Sequence, residues 1–81
     1  MAEYAMGGGR TLRFSRAAQT CIDETGTDPI DDVVAIVEQI RISGSGGARA
    51  NLLAYCLDGA ADDRRDGWIE YVNEIMAHAT A

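Results

Sequence analysis

Residues 63–79 read DRRDGWIEYVNEIMAHA, and this stretch decides the fold class. Apolar side chains recur along it every three or four residues, at Trp68, Ile69, Val72, Ile75, Met76 and Ala79. This spacing predicts an amphipathic helix with one buried side. Gly67 lies inside the pattern and lowers helix stability by about 1 kcal/mol relative to alanine. The pattern therefore leaves open a break at this glycine.

Two further helices are predicted from the same spacing and from their glycine stops. The first runs from Leu12 or Phe14 to about Thr25, and Gly26 follows as its stop. The other runs over about residues 48–57 and precedes another glycine. Both are short, so they need packing against other helices to be stable.

A capping signal predicts one more helix between these two. Asp28 is a good capping residue, and Pro29 fits the first helical position, where its missing N–H does no harm. Apolar residues then keep helical spacing from residue 30 to residue 40. The β-branched residues of 36–42 also suit a strand. The length of the segment and its proline cap favour a helix.

These segments predict a single all-α domain, a compact bundle of about four short helices over residues 10–81. Residues 1–9 end in three glycines, which predicts a flexible tail. Residues 43–47 read SGSGG and predict a flexible interhelical joint. Before a helix such a loop can also cradle a phosphate, but the sequence fits neither glycine-rich nucleotide motif.

Composition limits the classes of partner. The chain has 81 residues and a net charge of −6, from 7 arginines, no lysine and 13 acids. Nucleic acid and anionic membrane surfaces attract clustered positive charge, so neither is expected as the main partner. No run approaches the roughly 18 apolar residues of a membrane span, and the opening does not resemble a secretory signal. We therefore expect a cytoplasmic protein, in the host cytoplasm if it is virus-encoded.

The residues that could support catalysis or metal binding are few and scattered. Cys21 and Cys56 fall among apolar residues of predicted helices, which indicates reduced, buried thiols. With His78 they lack the close spacing of a zinc site and the signature of a catalytic dyad. We expect no cofactor, no metal and no enzymatic activity.

The most informative feature is a row of acids on the last predicted helix, at Asp63, Asp66, Glu70 and Glu74. Their spacing of three, four and four places them in one stripe on the side away from the tryptophan. Such like-charge neighbours destabilise a helix by roughly 0.2 to 0.5 kcal/mol per pair. The stripe is either a solvated face that keeps the protein in solution or a docking surface for a basic partner.

Three arginines near the start, Arg10, Arg13 and Arg16, form a second feature. They can pair with the acidic body of the same chain, which we prefer, or with that of a second copy. If residues 10–15 are extended instead of helical, Leu12 and Phe14 share one face and the arginines line the other.

The leading functional hypothesis is a protein-protein interaction module, a small acidic adaptor or inhibitor that covers a basic surface of a larger protein. Virus-encoded accessory factors include many proteins of this size and kind. The alternative is a structural or assembly subunit that forms a homo-oligomer through its N-terminal segment. An enzyme or small-ligand binder would need an apolar pocket ringed by perturbed acids.

Overall fold

The computed structural model of the chain describes residues 3–5, 10–26 and 33–80. Within these residues the four helices form a small all-α bundle, as predicted. The elements in chain order are β1 (Glu3–Ala5), β2 (Thr11–Arg13), α1 (Arg16–Thr25), α2 (Val33–Ser43), α3 (Ala48–Leu57), a single 3-10 turn (Asp62–Arg64) and α4 (Arg65–Thr80). Helix α4 is central, because α1, α2 and α3 all pack against it.

The core is built around an aromatic group on α4. Tyr71 is fully buried, with its ring stacked on Phe14 at a centroid distance of 4.6 Å. Trp68 meets the same ring edge-on at 5.4 Å. Both arrangements are favourable for aromatic pairs. Phe14 and Trp68 are both buried, and Tyr71 lies between them at the centre.

Residues 11–13 are extended, which settles the alternative that the sequence left open. Strand β2 pairs antiparallel with β1, with Leu12 opposite Tyr4. Leu12 and Phe14 are both buried and Arg13 between them is exposed, as alternation along a strand requires. Helix α1 therefore begins at Arg16, later than the sequence predicted.

The ends of α1 follow from local capping. The Ser15 hydroxyl accepts a hydrogen bond from the Ala18 backbone N–H at 3.2 Å, which is the usual N-cap contact. At the other end Gly26 has a φ of 79° and donates its N–H to the Ile22 carbonyl. This left-handed conformation favours glycine and confirms Gly26 as the stop.

Helices α2 and α3 lie close to their predicted positions. Segment 33–43 is a helix and not a strand, with Val33, Val37 and Ile40 buried along one side. Helix α3 has the predicted bounds. The predicted cap at Asp28 and Pro29 lies outside the described residues. Within the predicted tail, residues 3–5 form strand β1 instead, because they pair with β2.

Gly67 does not break α4 but marks its closest approach to α1. A Cβ atom at this position would lie 2.7 Å from the Ala17 carbonyl oxygen and 2.5 Å from the Cys21 sulfur. Both distances are shorter than van der Waals contact. Glycine is therefore required at this crossing, and the helix continues without a break from Arg65 to Thr80.

Candidate docking surface on helix α4

The acidic stripe is exposed over its first three members. Asp63, at the 3-10 turn, and Asp66 and Glu70, on α4, are all exposed. The residues three and four positions from Asp66 are Asp62, Asp63, Ile69 and Glu70, and those flanking Glu70 are Asp66, Gly67, Asn73 and Glu74. Neighbours on a helix surface are three or four positions apart, so neither carboxylate has a basic neighbour on its own helix.

Asp62 belongs to the same surface, although the sequence analysis omitted it. It is exposed and lies four residues before Asp66, at the start of the 3-10 turn. Its spacing to Asp66 was the signal that could have revealed it. The exposed acidic surface therefore consists of Asp62, Asp63, Asp66 and Glu70, and we call this set the acidic surface.

Two arginines adjoin the acidic surface: Arg65, which is exposed at the start of α4, and Arg64, most of whose bonding capacity is directed to α1. Its Nε and Nη2 atoms donate to the two carboxylate oxygens of Glu24 on α1 at 2.5 and 2.6 Å. This paired geometry lowers the pKa of Glu24 and raises the pKa of Arg64. Asp63 is only a distant partner, at 3.9 Å from Nη1. Arg64 therefore links α1 to the turn before α4.

Glu74 differs from the rest of the predicted stripe. It is only partly exposed, and both of its carboxylate oxygens accept from the Ser15 backbone N–H, at 3.1 and 2.9 Å. It lies next to Ile75 and three residues after Tyr71, both fully buried, so helical geometry places it at the edge of the buried side. The prediction that all four carboxylates lie in water is therefore wrong for Glu74.

The contact between Glu74 and Ser15 completes the cap of α1. In a capping box, the residue three positions after the cap returns a carboxylate to the backbone N–H of the cap residue. That position is Ala18 in this chain, which has no such group. Glu74 supplies the carboxylate from 59 residues away. Its role in the structure is to fix the start of α1 against α4.

The N-terminal arginines lie on the surface. Arg13 and Arg16 are exposed and Arg10 is partly exposed. In the described part of the chain, Arg10 and Arg16 form no ion pair with an acid of the helical body. We preferred the interpretation that these arginines pair with the acidic body of the chain. For Arg10 and Arg16 the structure gives this interpretation no support. Their role as partner contacts stays a prediction.

The two cysteines are free and buried, as predicted. The Cys21 sulfur lies 3.5 Å from the Arg64 carbonyl oxygen, and burial raises the pKa of its thiol. It packs at the level of Gly67, whereas His78 is eleven residues further along α4, about 16 Å at 1.5 Å per residue. Cys21 and His78 are therefore too far apart to form a dyad.

Several grooves open on the described surface. The most apolar of them, about 380 Å³, lies between α2 and α3 and has no titratable side chain in its lining. The 43–47 joint borders it, and the Ala48 N–H at the start of α3 already donates to the Ser45 carbonyl. Within the described residues, no three His, Cys, Asp or Glu side chains are grouped to hold a metal ion.

Among the helices described, none combines the length and apolar character needed to cross a membrane. Comparison of the chain with protein-family models, with curated proteins and with solved structures gave no match.

Proposed function

We propose that this protein is a non-enzymatic interaction module that docks its acidic surface on a basic surface of a larger protein. The observation that carries the proposal is that Asp66 and Glu70 are exposed, lie four residues apart, and have no basic residue three or four positions away on α4. Asp62 and Asp63 extend this surface by one turn toward the start of the helix. An adaptor or an inhibitor would use such a surface in the same way.

The energetics of the helix support this proposal. Each like-charge pair three or four residues apart destabilises a helix by roughly 0.2 to 0.5 kcal/mol. Glu74 offsets this cost by capping α1. Asp66 lies in the first turn of α4, where the helix dipole favours it, but neither Asp66 nor Glu70 forms a hydrogen bond or ion pair in the part of the chain that the structure describes. Their retention is explained if the partner supplies the compensating positive charge.

The surface also defines the chemistry of its partner. Carboxylates one helical turn apart, about 6 Å, can each accept hydrogen bonds from an arginine or lysine. A partner that normally holds phosphate groups would present such side chains, and the carboxylates would then replace the phosphates. Because the contacts are exposed ion pairs, binding should weaken as the salt concentration rises.

Paired substitutions test the proposal. Asp66→Asn with Glu70→Gln removes two charges from the acidic surface. Asp23→Asn with Asp58→Asn removes two charges from exposed sites on α1 and after α3, so both variants have the same net charge. Each protein is immobilised, exposed to a lysate of the native host and washed with increasing salt. Bound proteins are identified by mass spectrometry, and the captured protein is purified and titrated.

The proposal expects wild type and the Asp23/Asp58 variant to capture the same basic protein, and the Asp66/Glu70 variant to lose it. Loss of about tenfold or more in affinity is expected from two charged contacts. Equal binding by all three proteins would overturn the proposal. Equal losses in the two variants would also overturn it, because binding would then follow net charge and not this surface.

A further inference from the structure

A recess opens between the C-terminal ends of α1 and α3, outside the acidic surface. Its volume is about 400 Å³, and one of its walls belongs to α4. The residues that line it include Thr25, Tyr55, Asp58, Gly59, Ala60 and Trp68. Gly59 has no side chain and Ala60 has only a methyl group, so neither fills the space between the end of α3 and the tryptophan.

The electrostatics of the recess favour a cation. Asp58 is exposed, and its carboxylate forms no hydrogen bond or ion pair with any residue that the structure describes. Helix dipoles are negative at C-terminal ends, and neither α1 nor α3 has a basic residue in its last turn. Arg64 is bound to Glu24 and does not line the recess. The negative charge at the recess is therefore not neutralised by a basic side chain of its lining.

Two aromatic residues give the recess its second property. Tyr55 is 63% exposed, and its hydroxyl forms no hydrogen bond with a described residue. Trp68 is only 6% exposed, and no described residue accepts a hydrogen bond from its indole N–H. This nitrogen is not among the fully buried polar atoms that lack a partner, so it reaches solvent. A ligand in the recess would thus meet an open aromatic ring and a hydrogen-bond donor beside the carboxylate of Asp58.

An arginine residue of a peptide chain matches these groups. Its guanidinium is positively charged, stacks on aromatic rings and can donate two hydrogen bonds to one carboxylate. Tyr55 would provide the ring and Asp58 the carboxylate. A main-chain carbonyl of the same peptide segment can accept from the Trp68 indole N–H. Lysine fits less well, because its ammonium is a strongly hydrated point charge that does not stack.

We propose that this recess binds an arginine side chain of the protein that docks on the acidic surface. One partner can reach both places, since Asp58 and Asp62 are four residues apart, at most about 14 Å along the chain. The proposal rests on the proposed docking function for the identity of the protein that carries this arginine. It gives Tyr55, a large side chain that the fold leaves open, a role in binding.

An NMR titration of the full chain tests the recess without the partner. The chain has a single tryptophan, so the indole N–H of Trp68 gives one assignable signal. The probes are the peptides acetyl-Gly-Arg-Gly-amide and acetyl-Gly-Lys-Gly-amide at low salt. The arginine peptide is expected to shift the indole signal of wild type in a saturable way. The lysine peptide should bind at least about threefold more weakly.

A pair of matched variants tests the residues. Tyr55→Ala with Asp58→Asn should raise the dissociation constant of the arginine peptide by about fivefold or more, because it removes the ring and the carboxylate. Ile42→Ala with Asp23→Asn also removes one large exposed side chain and one exposed carboxylate, but neither residue lines the recess. This control should bind like wild type. Circular dichroism checks that both variants are folded.

Three results of the titration would each overturn the proposal: no saturable shift in wild type, equal affinity for the two peptides, or equal affinity of the two variants for the arginine peptide. None of them bears on Asp66 and Glu70, which are tested by the capture experiment. A captured protein that is lost by Asp66→Asn/Glu70→Gln, but bound with wild-type affinity by Tyr55→Ala/Asp58→Asn, would leave the docking function standing and overturn the recess proposal.

Discussion

The contact of α1 with α4 differs sharply from the packing of α3. Helix α1 crosses α4 at Gly67, where the backbones are too close for any side chain. Long-range contacts stabilise this crossing, among them those from Arg64 to Glu24 and from Glu74 to Ser15. Among the described residues, helix α3 fully buries only Cys56, and an exposed hydrogen bond from Arg49 to Asn73 links it to α4.

This difference shows where a small domain concentrates its stability. A chain of 81 residues buries only about 60% of its unfolded surface, so it cannot pack every face tightly. The α1–α4 side holds the dense packing and the capping contacts. The outer face of α4 contributes less to the fold, and it carries the acidic surface that we propose for a partner.

Gly67→Ala should have the largest effect, because it adds a Cβ at the tightest point of the α1–α4 crossing. The methyl group would collide with the Ala17 carbonyl and the Cys21 sulfur. We expect a loss of about 2 to 3 kcal/mol in unfolding free energy, despite the better helix propensity of alanine. Urea denaturation measures this loss.

Gly47→Ala is the matched control for this substitution at the start of α3. Gly47 has a φ of −91° and no atom within 4 Å of an added Cβ. Its replacement should leave stability unchanged or raise it by up to about 1 kcal/mol. Equal losses at the two glycines would contradict the difference in packing between α1 and α3.

Glu74→Gln should have the next largest effect. The amide can still accept one hydrogen bond from Ser15, but it loses the charge that strengthens the contact and favours the start of α1. We expect a loss of about 1 kcal/mol. Glu70→Gln on the same helix should change stability by less than about 0.5 kcal/mol. If the two substitutions had the same effect, Glu74 would not be a capping residue.

Thiol labelling compares the α1–α4 crossing, which holds Cys21, with α3, which holds Cys56. It needs only small changes to the packing. Chains with Cys56→Ala or Cys21→Ala each retain one buried thiol. Burial raises the pKa of the Cys21 thiol, so less of the reactive thiolate forms at pH 8. In addition, the tightly packed α1–α4 crossing should rarely open to expose this thiol to the reagent. Cys21 should react at least about tenfold more slowly than Cys56, which lies on the loosely packed α3. Faster labelling of Cys21 would contradict this order.

Much of the fold could be predicted because its signals are local. The bounds of α3 and the end of α1 follow from neighbouring glycines, and the spacing along α4 places Trp68 inside. The extended conformation of residues 11–13 stayed one of two alternatives, because the strand depends on pairing with residues 3–5.

The surroundings of the acidic surface could be predicted less completely, because the roles of Glu74 and Gly67 depend on distant partners. Glu74 matches the spacing of the stripe, and only its contact with Ser15 separates it from Glu70. The role of Gly67 depends on Ala17, which is fifty residues earlier in the chain. Neither partner is visible in the local pattern that governs helix formation.

The central claim is that Asp66 and Glu70 serve a partner and not the fold. Urea denaturation of the Asp66→Asn/Glu70→Gln variant tests this claim most directly and needs no knowledge of the partner. We predict an unfolding free energy within about 0.5 kcal/mol of wild type, because the loss of repulsion along α4 is offset by the loss of the favourable charge of Asp66 at the start of the helix. A loss of more than about 1 kcal/mol would show that these carboxylates stabilise the fold, and it would contradict the claim.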